Sequence, residues 1–522
     1  MMGNLLLLAL GMFATMTVAK AQRYFGTATG NYGGTNALYL NPALLAGSKV
    51  KWSVDLFSFN AGVDNNFATL RTAKLVKRLT DADGFKIGDF LNYGNDSKVD
   101  LTVPCTEVRG PGVYLNLNDK HSFALTTRAR ELNQFRNFGG TLFQSIVTQD
   151  FQDASGNVNI HDRNFGWTAN VWSEIGLTYA TTLVNTGKHV LHGGLTLRYL
   201  GGAGYINLYG ENLDADYYNA QDSLVVSNSS LHINSNIPTD EDGLINMVNG
   251  KGFLNALTGK ASGHGFGADL GFTYEYRPDY KNATYEMDGN QFRLDPGKDA
   301  YLFRISAAVT DWGSMRYKKN NFQSVVTGNG TLNVDEVGDH SGTADELTDY
   351  LKQNGFEIDS STGNAGTVYL PTALVLGFDW HAYKHIFVNA TVVGGMGKAV
   401  AKAANVSYSQ LTVTPRYDSR IVSVGLPLTY NFTSQSFKAG LGLRVAGLFL
   451  GSDDLLALAG SGGQKGVNFY LGVSVPFAKH RLKDKDGDKV SDKKDKCPEL
   501  QGEWELQGCP PTDAEEDEGA KE

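Results

Sequence analysis

Apolar and polar residues alternate one by one along much of this chain. The segment SEIGLTYATTL shows the pattern. One face carries Ile175, Leu177, Tyr179, Thr181 and Leu183, and the other carries Glu174, Gly176, Thr178, Ala180 and Thr182. A period of two predicts a β-strand. The turn NTGK and the alternating segment LHGGLTLRYL follow at once, so an antiparallel hairpin is predicted here.

Similar segments recur from Lys51 to Phe477, and we count about 14 of them. A soluble β-sandwich would also alternate, but three features favour a membrane barrel. The segments reach about 10 residues, their apolar faces end in Tyr and Phe, and their opposite faces carry Arg and Glu, as a wet lumen allows. The fold predicted for residues 50–478 is therefore all-β, a transmembrane antiparallel β-barrel of about 14 strands.

Two excursions between strands are long, residues 65–95 and 320–366. The second contains TADELTDYLKQNG, whose apolar spacing and closing Asn354-Gly355 predict a short helix. The first contains the basic segment LRTAKLVKRL, which is a candidate for another helix. We interpret both as loop helices at the barrel rim, with a binding role as the alternative.

The chain begins with an apolar run, Leu5 to Val18, followed by a small-x-small pattern. This pattern predicts a secretion signal over residues 1–21, and a short membrane anchor is the alternative. Together with the barrel it predicts the outer membrane as location, outer-membrane lipid as the surrounding partner and both chain ends in the periplasm. A net charge of −9 does not favour nucleic-acid binding.

Just before the first strand stands GNYGGTNALYLNPALLAG, Gly30 to Gly47. Asn41, Pro42 and Ala43 predict a turn there. The segment resembles the amino-terminal box of FadL-like outer-membrane transporters, at positions Gly33, Gly34, Ala37, Asn41, Pro42, Ala43 and Leu44. The resemblance implies that residues 22–49 form a plug inside the barrel and that a small hydrophobic or amphipathic molecule is the ligand. The same barrel class includes non-transporting relatives associated with type IX secretion.

A ladder of aspartates follows the last strand, in KDKDGDKVSDKKDKCPE. Asp484, Asp486, Asp488, Asp492 and Asp495 occupy positions 1, 3, 5, 9 and 12 of an EF-hand-like register, and the carbonyl of Val490 occupies position 7. Hard oxygen ligands at this spacing predict a Ca²⁺ site, and a lysine-neutralised flexible linker is the alternative. Lys489 stands where such loops usually have glycine. Residues 479–511 closely resemble a thrombospondin type 3 repeat, which is a calcium-binding linker.

Cysteine usage fits an oxidising compartment. Cys497 and Cys509 close a short loop after the ladder and predict a disulfide, which leaves Cys105 as a lone thiol. Residues 512–522 are predicted to be an acidic disordered tail.

No catalytic motif emerges from the sequence, and we do not expect an enzyme. Gly397-Lys398 lacks the other residues of a phosphate-binding loop, and His381 and His385 flank a predicted hairpin turn rather than lie on a helix. Two hypotheses remain for function. The first is a FadL-like barrel that holds or passes its ligand. The second is a structural adaptor barrel that docks a periplasmic protein partner through its tail. An apolar lumen pocket with a lateral opening would favour the first, and a filled lumen with a protruding tail the second.

Overall fold

The computed structural model describes most of the chain. The described residues are 23–70, 91–93, 98–140, 143, 157–236, 261–318, 321–333, 336, 344–362, 365–396, 405–458 and 464–511. The signal sequence and the acidic tail 512–522 lie outside these ranges, so both stay predictions.

Strands dominate the described residues. They are β1 (Val50–Asn65), β2 (Ala68–Leu70), β3 (Leu91–Tyr93), β4 (Val99–Arg109), β5 (Gly112–Asn116), β6 (His121–Phe138), β7 (Asn157–Asn185), β8 (His189–Tyr218), β9 (Ser223–Ser235), β10 (Gly263–Tyr276), β11 (Thr284–Met287), β12 (Asn290–Leu294), β13 (Phe303–Tyr317), β14 (Phe322–Asn333), β15 (Phe356–Thr362), β16 (Gly366–Tyr369), β17 (Ala373–Tyr383), β18 (Ile386–Gly395), β19 (Gln410–Asp418), β20 (Val422–Gly425), β21 (Leu428–Asn431), β22 (Ser436–Ala439), β23 (Leu441–Val445), β24 (Leu448–Ser452) and β25 (Gly466–Ala478). The α-helices are Phe25–Ala28, Thr35–Leu38, Tyr280–Ala283, Ala344–Gln353 and Leu455–Leu458, and the 3₁₀ helices are Pro42–Leu45, Asn219–Gln221 and Trp504–Leu506.

The main sheet closes into a barrel. Strand β1 pairs antiparallel with β25 from Val50↔Ala478 to Asp64↔Gly466, and on its other side with β4 and β5. Following the pairs around the ring gives 14 strand positions, because β4 with β5, β16 with β17, β20 with β21 and β22 with β23 each share one position. The predicted fold class and the strand number are confirmed. We call the end at Val50 and Ala478 the chain-end rim and the opposite end the far rim.

On the barrel strands, large apolar side chains face outward and polar side chains face the lumen, the reverse of the arrangement in a soluble protein. Leu177 on β7 is 58% exposed, whereas its neighbour Thr178 is fully buried. Large apolar residues face outward on strand after strand, among them Leu125, Leu177, Leu197, Leu270, Ile305, Leu376 and Leu450. The predicted alternation is confirmed, and the apolar belt it forms runs around the barrel.

Strands β7 and β8 are 29 and 30 residues long and continue past the far rim. There β8 pairs with β9, β9 with β14 and β14 with β15. The predicted helix is confirmed as Ala344–Gln353, and its Tyr350 and Leu351 are buried in the apolar core of this lobe. The excursion 320–366 was expected to be loop and helix, and the strands within it were missed, because their sequences FQSVVTGNGTLN and FEIDSST are rich in polar residues and lack regular alternation. The basic segment 70–79 lies almost wholly outside the described residues.

Among the described residues, none of the helices combines the length and the apolar composition that a membrane-crossing helix requires.

If the apolar belt faces lipid, Leu197→Arg will destabilise the folded barrel by about 2–4 kcal/mol, because the guanidinium would sit in hydrocarbon. Leu197 is 56% exposed in the middle of the β8 wall segment. Urea unfolding in lipid vesicles, followed by gel mobility, measures the change. Leu500→Arg is the matched control, since Leu500 is 61% exposed but lies on the carboxy-terminal tail. Equal stability of the two variants in lipid would contradict a membrane-facing belt.

Candidate functional site

Residues 23–49 lie inside the barrel and fold into three short helices. Asn41 caps the last of them, the 3₁₀ helix Pro42–Leu45. Its side-chain Oδ1 accepts a hydrogen bond from Ala43 N–H at 2.9 Å. Its Nδ2 donates to the carbonyl oxygens of Phe272 at 3.0 Å and Ala307 at 3.2 Å, on β10 and β13. The turn Asn41-Pro42-Ala43 therefore joins this segment to the wall, and we call residues 23–49 the plug.

Two wall glycines permit this contact. A Cβ atom on Gly194 of β8 would overlap the backbone of Pro42 and Ala43. A Cβ atom on Gly271 of β10 would overlap Asn41 Oδ1. Any larger residue at either position would push the plug away from the wall.

A guanidinium group from the wall contacts the plug at three further residues. Arg109, at the end of β4, lies 4.0 Å from the ring centroids of both Tyr24 and Tyr39 in the plug. It also donates to Asn36 Oδ1 at 3.0 Å and pairs with Glu107. A cation between two aromatic faces is stabilised by both rings, more strongly where water is excluded.

Behind Arg109 the lumen contains a network of buried ion pairs. Arg128 contacts Glu174 at 2.7 Å, Asp311 at 3.1 Å and Glu107 at 3.3 Å. Arg130 and Arg198 contact Asp311 at 3.1 and 3.0 Å, and Arg198 also pairs with Asp269. Four arginines thus meet four carboxylates, all less than a tenth exposed. Buried charges need such pairing, since an unpaired one costs several kcal/mol.

A polar cavity of about 100 Å³ adjoins the network. Its lining includes Arg23, Tyr39, Arg109, Arg130 and Gln134. Arg23 Nη2 donates to Thr310 Oγ1 at 3.1 Å, while its buried Nη1 has no hydrogen-bond partner among the described residues. The carboxylates of Asp64, Glu107 and Asp311 also line the cavity, so hydrogen-bond donors and acceptors both border it.

The barrel wall is interrupted beside this cavity. Strand β4 ends at Arg109 and β5 begins at Gly112, because Gly110 has φ +100° and Pro111 has no N–H to donate. The facing strand β1 keeps one register with β4 and β5, from Ser58↔Arg109 to Asp55↔Gly112, while its register with β25 on the other side shifts between Asp55 and Phe57. A small pocket of about 20 Å³ lies at this interruption. We call it the wall gap, and its lining combines plug and lumen residues with outward-facing ones, Thr35, Tyr39, Arg109, Phe57, Thr127 and Val473.

The aspartate ladder folds into a compact loop. Asp484, Asp486 and Asp488 bring one carboxylate oxygen each within 4.8 Å of one another. Asp484 Oδ2 accepts from Lys489 N–H at 3.0 Å, and Lys489 has φ +70°, the backbone conformation that glycine usually supplies at this position. Asp492 Oδ1 accepts from Lys485 N–H at 2.8 Å, which brings that carboxylate to the start of the loop.

The remaining ladder positions lie close by. Val490 is fully buried, and Asp495 Oδ1 accepts from Cys497 N–H at 2.7 Å. Burial, with the charges of Asp488 and Asp495, raises the pKa of Asp486 above its ordinary value. Its buried Oδ2 has no hydrogen-bond partner among the described residues. A buried carboxylate oxygen without a hydrogen-bond partner is well suited to coordinate a cation.

The carboxy-terminal tail docks on the barrel rather than protruding. Asp288, in the turn between β11 and β12, donates its N–H to Lys489 O at 2.8 Å and accepts from Ser491 N–H at 2.9 Å. Lys489 Nζ also contacts Glu286 at 2.7 Å. Cys497 and Cys509 form a disulfide with a Cα–Cα distance of 5.0 Å, directly after the ladder. The ladder therefore sits against the chain-end rim.

The sequence analysis identified the plug turn and the aspartate ladder as candidate sites. It missed the ion-pair network, the wall gap and the hairpin of β11 and β12 on which the tail docks. The signal for the network was present, since arginines and acids recur on the inward faces of predicted strands. Which arginine meets which acid depends on strand register around the ring. The gap had the signal Gly110-Pro111-Gly112, whose glycines and proline disfavour a continuous strand.

These features define a plugged, 14-stranded antiparallel β-barrel with an ion-paired lumen. The chain belongs to the family described as "Family of unknown function (DUF5723)", whose model matches residues 42–453. A comparison with curated proteins found no match.

Several solved barrels are similar in fold. The toluene transporter TodX of P. putida is 12% identical over 86% of this chain and 95% of its own, with a TM-score of 0.40. The toluene transporter TbuX of Ralstonia pickettii is 13% identical over 90% and 97%, with a TM-score of 0.35. A FadL homologue of Pseudomonas aeruginosa is 10% identical over 89% and 100%, with a TM-score of 0.25. Scores this low carry no argument about function, and the barrel rests on its own strand pairing.

Asn41→Ala should loosen the plug without unfolding the barrel. The substitution leaves two buried carbonyl oxygens and one buried N–H without their partner, which costs about 1–3 kcal/mol. We expect more frequent channel openings in planar bilayers and unchanged barrel stability. Asn282→Ala is the control, because Asn282 is exposed on the chain-end rim. Conductance indistinguishable from wild type would show that Asn41 does not retain the plug.

Proposed function

We propose that this protein is an outer-membrane β-barrel that takes up a small amphipathic ligand through the wall gap, with its chain ends in the periplasm. The observation that carries the proposal is that the gap and the polar cavity share part of their lining. Tyr39 and Arg109 line both. A molecule with an apolar part and one polar group would therefore meet lipid-facing Phe57 and Val473 first and the lumen arginines next.

The volume of the cavity limits the size of the ligand. The cavity of about 100 Å³ is smaller than the 300–1,000 Å³ typical of pockets for drug-sized molecules, and it is polar. A large hydrophobic ligand would have to displace the plug, whereas a small polar group fits beside Arg23 and Arg130. The ligand class is therefore amphipathic rather than purely hydrophobic.

We also propose that the aspartate ladder binds Ca²⁺ in the periplasm. Support comes from the three clustered carboxylates, the buried Asp486 Oδ2 and the left-handed backbone at Lys489. The residues that would hold the ion are Asp484, Asp486, Asp488, Val490 through its carbonyl, Asp492 and Asp495. The cation would offset repulsion between these carboxylates and keep the tail in its docked geometry.

A structural adaptor function is the second candidate. One observation favours it: the lumen is filled by the plug and by ion pairs, as a membrane anchor requires. The docked tail argues against a protruding arm, but its outer surface, including exposed Leu500 and Leu506, is free to meet a periplasmic protein.

Thr127→Trp should slow ligand uptake. Thr127 lines the wall gap and donates to Pro111 O at 2.8 Å, so an indole there fills the opening. Cells expressing the barrel would be tested with radiolabelled hexanoate as an amphipathic probe and toluene as an apolar one. We expect a several-fold loss of hexanoate uptake and a smaller effect on toluene.

Thr181→Trp is the matched control, because Thr181 lies on the neighbouring β7 and pairs with His121 at a position away from the gap. Hexanoate uptake that is the same in cells with wild-type protein, with Thr127→Trp and with no barrel at all would refute transport and favour the adaptor.

Calcium titration of the full-length protein by calorimetry tests the ladder. Wild type should release heat, and Asp486→Asn with Asp488→Asn should bind roughly tenfold more weakly, since two ligand charges are lost. Acidification should weaken binding, because the raised pKa of Asp486 makes this carboxylate easier to protonate and so to lose as a charged ligand.

Glu503→Gln with Glu505→Gln is the control, since both carboxylates are exposed on the same tail but outside the ladder. If wild type gives no heat at millimolar calcium, or if both double variants titrate alike, the ladder is a solvated linker.

A further inference from the structure

A groove in the barrel surface lies at the chain-end rim, away from the plug cavity. Its volume is about 500 Å³. It exists because β24 and β25 differ in extent. Pairing between them stops at Leu448↔Val473, whereas β25 continues to Ala478. Ser474 N–H still donates to Gly447 O at 2.8 Å, so residues 475–478 have β1 on one side and, among the described strands, no partner on the other.

Apolar side chains form one wall of this rim groove. Phe477 is 44% and Ile421 62% exposed, and the Trp52 ring stacks on Phe477 with centroids 3.7 Å apart. Val475 is also exposed beside them. Neighbouring Val445 and Leu448 are exposed as well, so the wall continues into the apolar belt of the barrel.

Basic side chains surround the same groove. Lys51, Arg420 and His480 are exposed, and Arg420 Nη2 lies 3.3 Å from His480 Nε2. Arg444 is buried and held in place by the carbonyl of Ser419 at 2.6 Å and by Asp418 at 3.4 Å. None of the residues that line the groove carries a carboxylate. One side of the rim groove is therefore positively charged, and the other side is apolar.

We propose that the rim groove binds one phospholipid with an anionic head group. Cationic groups at the edge of a membrane protein attract lipid phosphates, and an aromatic pair beside them lies where head groups meet acyl chains. The acyl chain would lie along Val475, Phe477 and Ile421, with the phosphate between Lys51, Arg420 and Arg444. A free phosphate ion would leave the apolar wall uncovered. This inference rests on the proposed membrane location but not on the proposed ligand or on calcium.

The test uses the full-length barrel in detergent micelles, supplied with either phosphatidylglycerol or phosphatidylcholine and examined by native mass spectrometry. We expect one phosphatidylglycerol to stay bound to wild type and phosphatidylcholine to be lost. Lys51→Gln with Arg420→Gln should reduce retention about twenty-five-fold, since each basic residue near a lipid surface contributes roughly a factor of five.

Lys384→Gln is the matched control. Lys384 lies in another chain-end turn, next to exposed Tyr383, with its Nζ 5.1 Å from that ring centroid. It should not alter lipid retention. Quenching of Trp52 by brominated phosphatidylglycerol, compared with Trp52→Phe, gives a second readout, and heat-dependent gel mobility verifies that each variant is folded.

Four results would overturn the proposal. The first two are equal retention of both lipids by wild type, and a loss of lipid in Lys384→Gln as large as that in the Lys51→Gln, Arg420→Gln variant. The other two are displacement of the lipid by millimolar inorganic phosphate, and lipid binding only after truncation at Pro511. The last result would mean that the acidic residues 512–522 occupy the groove. Recovery of the protein from the soluble fraction would instead refute the membrane location, so the two failures are distinguishable.

Discussion

The pairing of β1 with β25 is the constraint on which the other features depend. A sheet surrounded by lipid has no water to satisfy an open edge, so it must close on itself. Closure at Val50↔Ala478 brings the residues before the first strand and those after the last strand to the same rim. The plug can then enter the lumen from that rim, and the tail can dock beside it. An odd number of strands would separate the two.

Closure also creates an interior in which charged residues must find partners. The lumen arginines and carboxylates are nearly completely buried, and Arg128, Arg130 and Arg198 each contact three carboxylates. The plug joins this network through the rings of Tyr24 and Tyr39 around Arg109. Because breaking a buried pair is costly, separating these pairs along the barrel axis is disfavoured. The proposed route through the wall would avoid most of that cost.

Both candidate binding surfaces lie where strand pairing is interrupted. At the wall gap the cause is Gly110-Pro111, near a register shift between β1 and β25. At the rim groove the cause is the difference in extent between β24 and β25. Irregular pairing redirects side chains and exposes local surface, which regular strands do not do. The regularly paired strands carry the apolar belt, and both candidate binding surfaces lie where the pairing is irregular.

The sequence by itself determined the alternation of Leu177 with Thr178, the strand count, the turn at Asn41-Pro42 and the spacing of the aspartates. Each of these is local, because side-chain direction in a strand has a period of two and a loop's ligands lie within a few residues. Only the tertiary structure decided that Arg128 meets Glu174 and Asp311, that Asp288 receives the tail, and that Lys51 and Arg420 face one groove. Those contacts join residues far apart in the chain. Their formation depends on the register of every strand between them. A register shift of one residue would turn the side chains of that strand to the opposite face of the barrel.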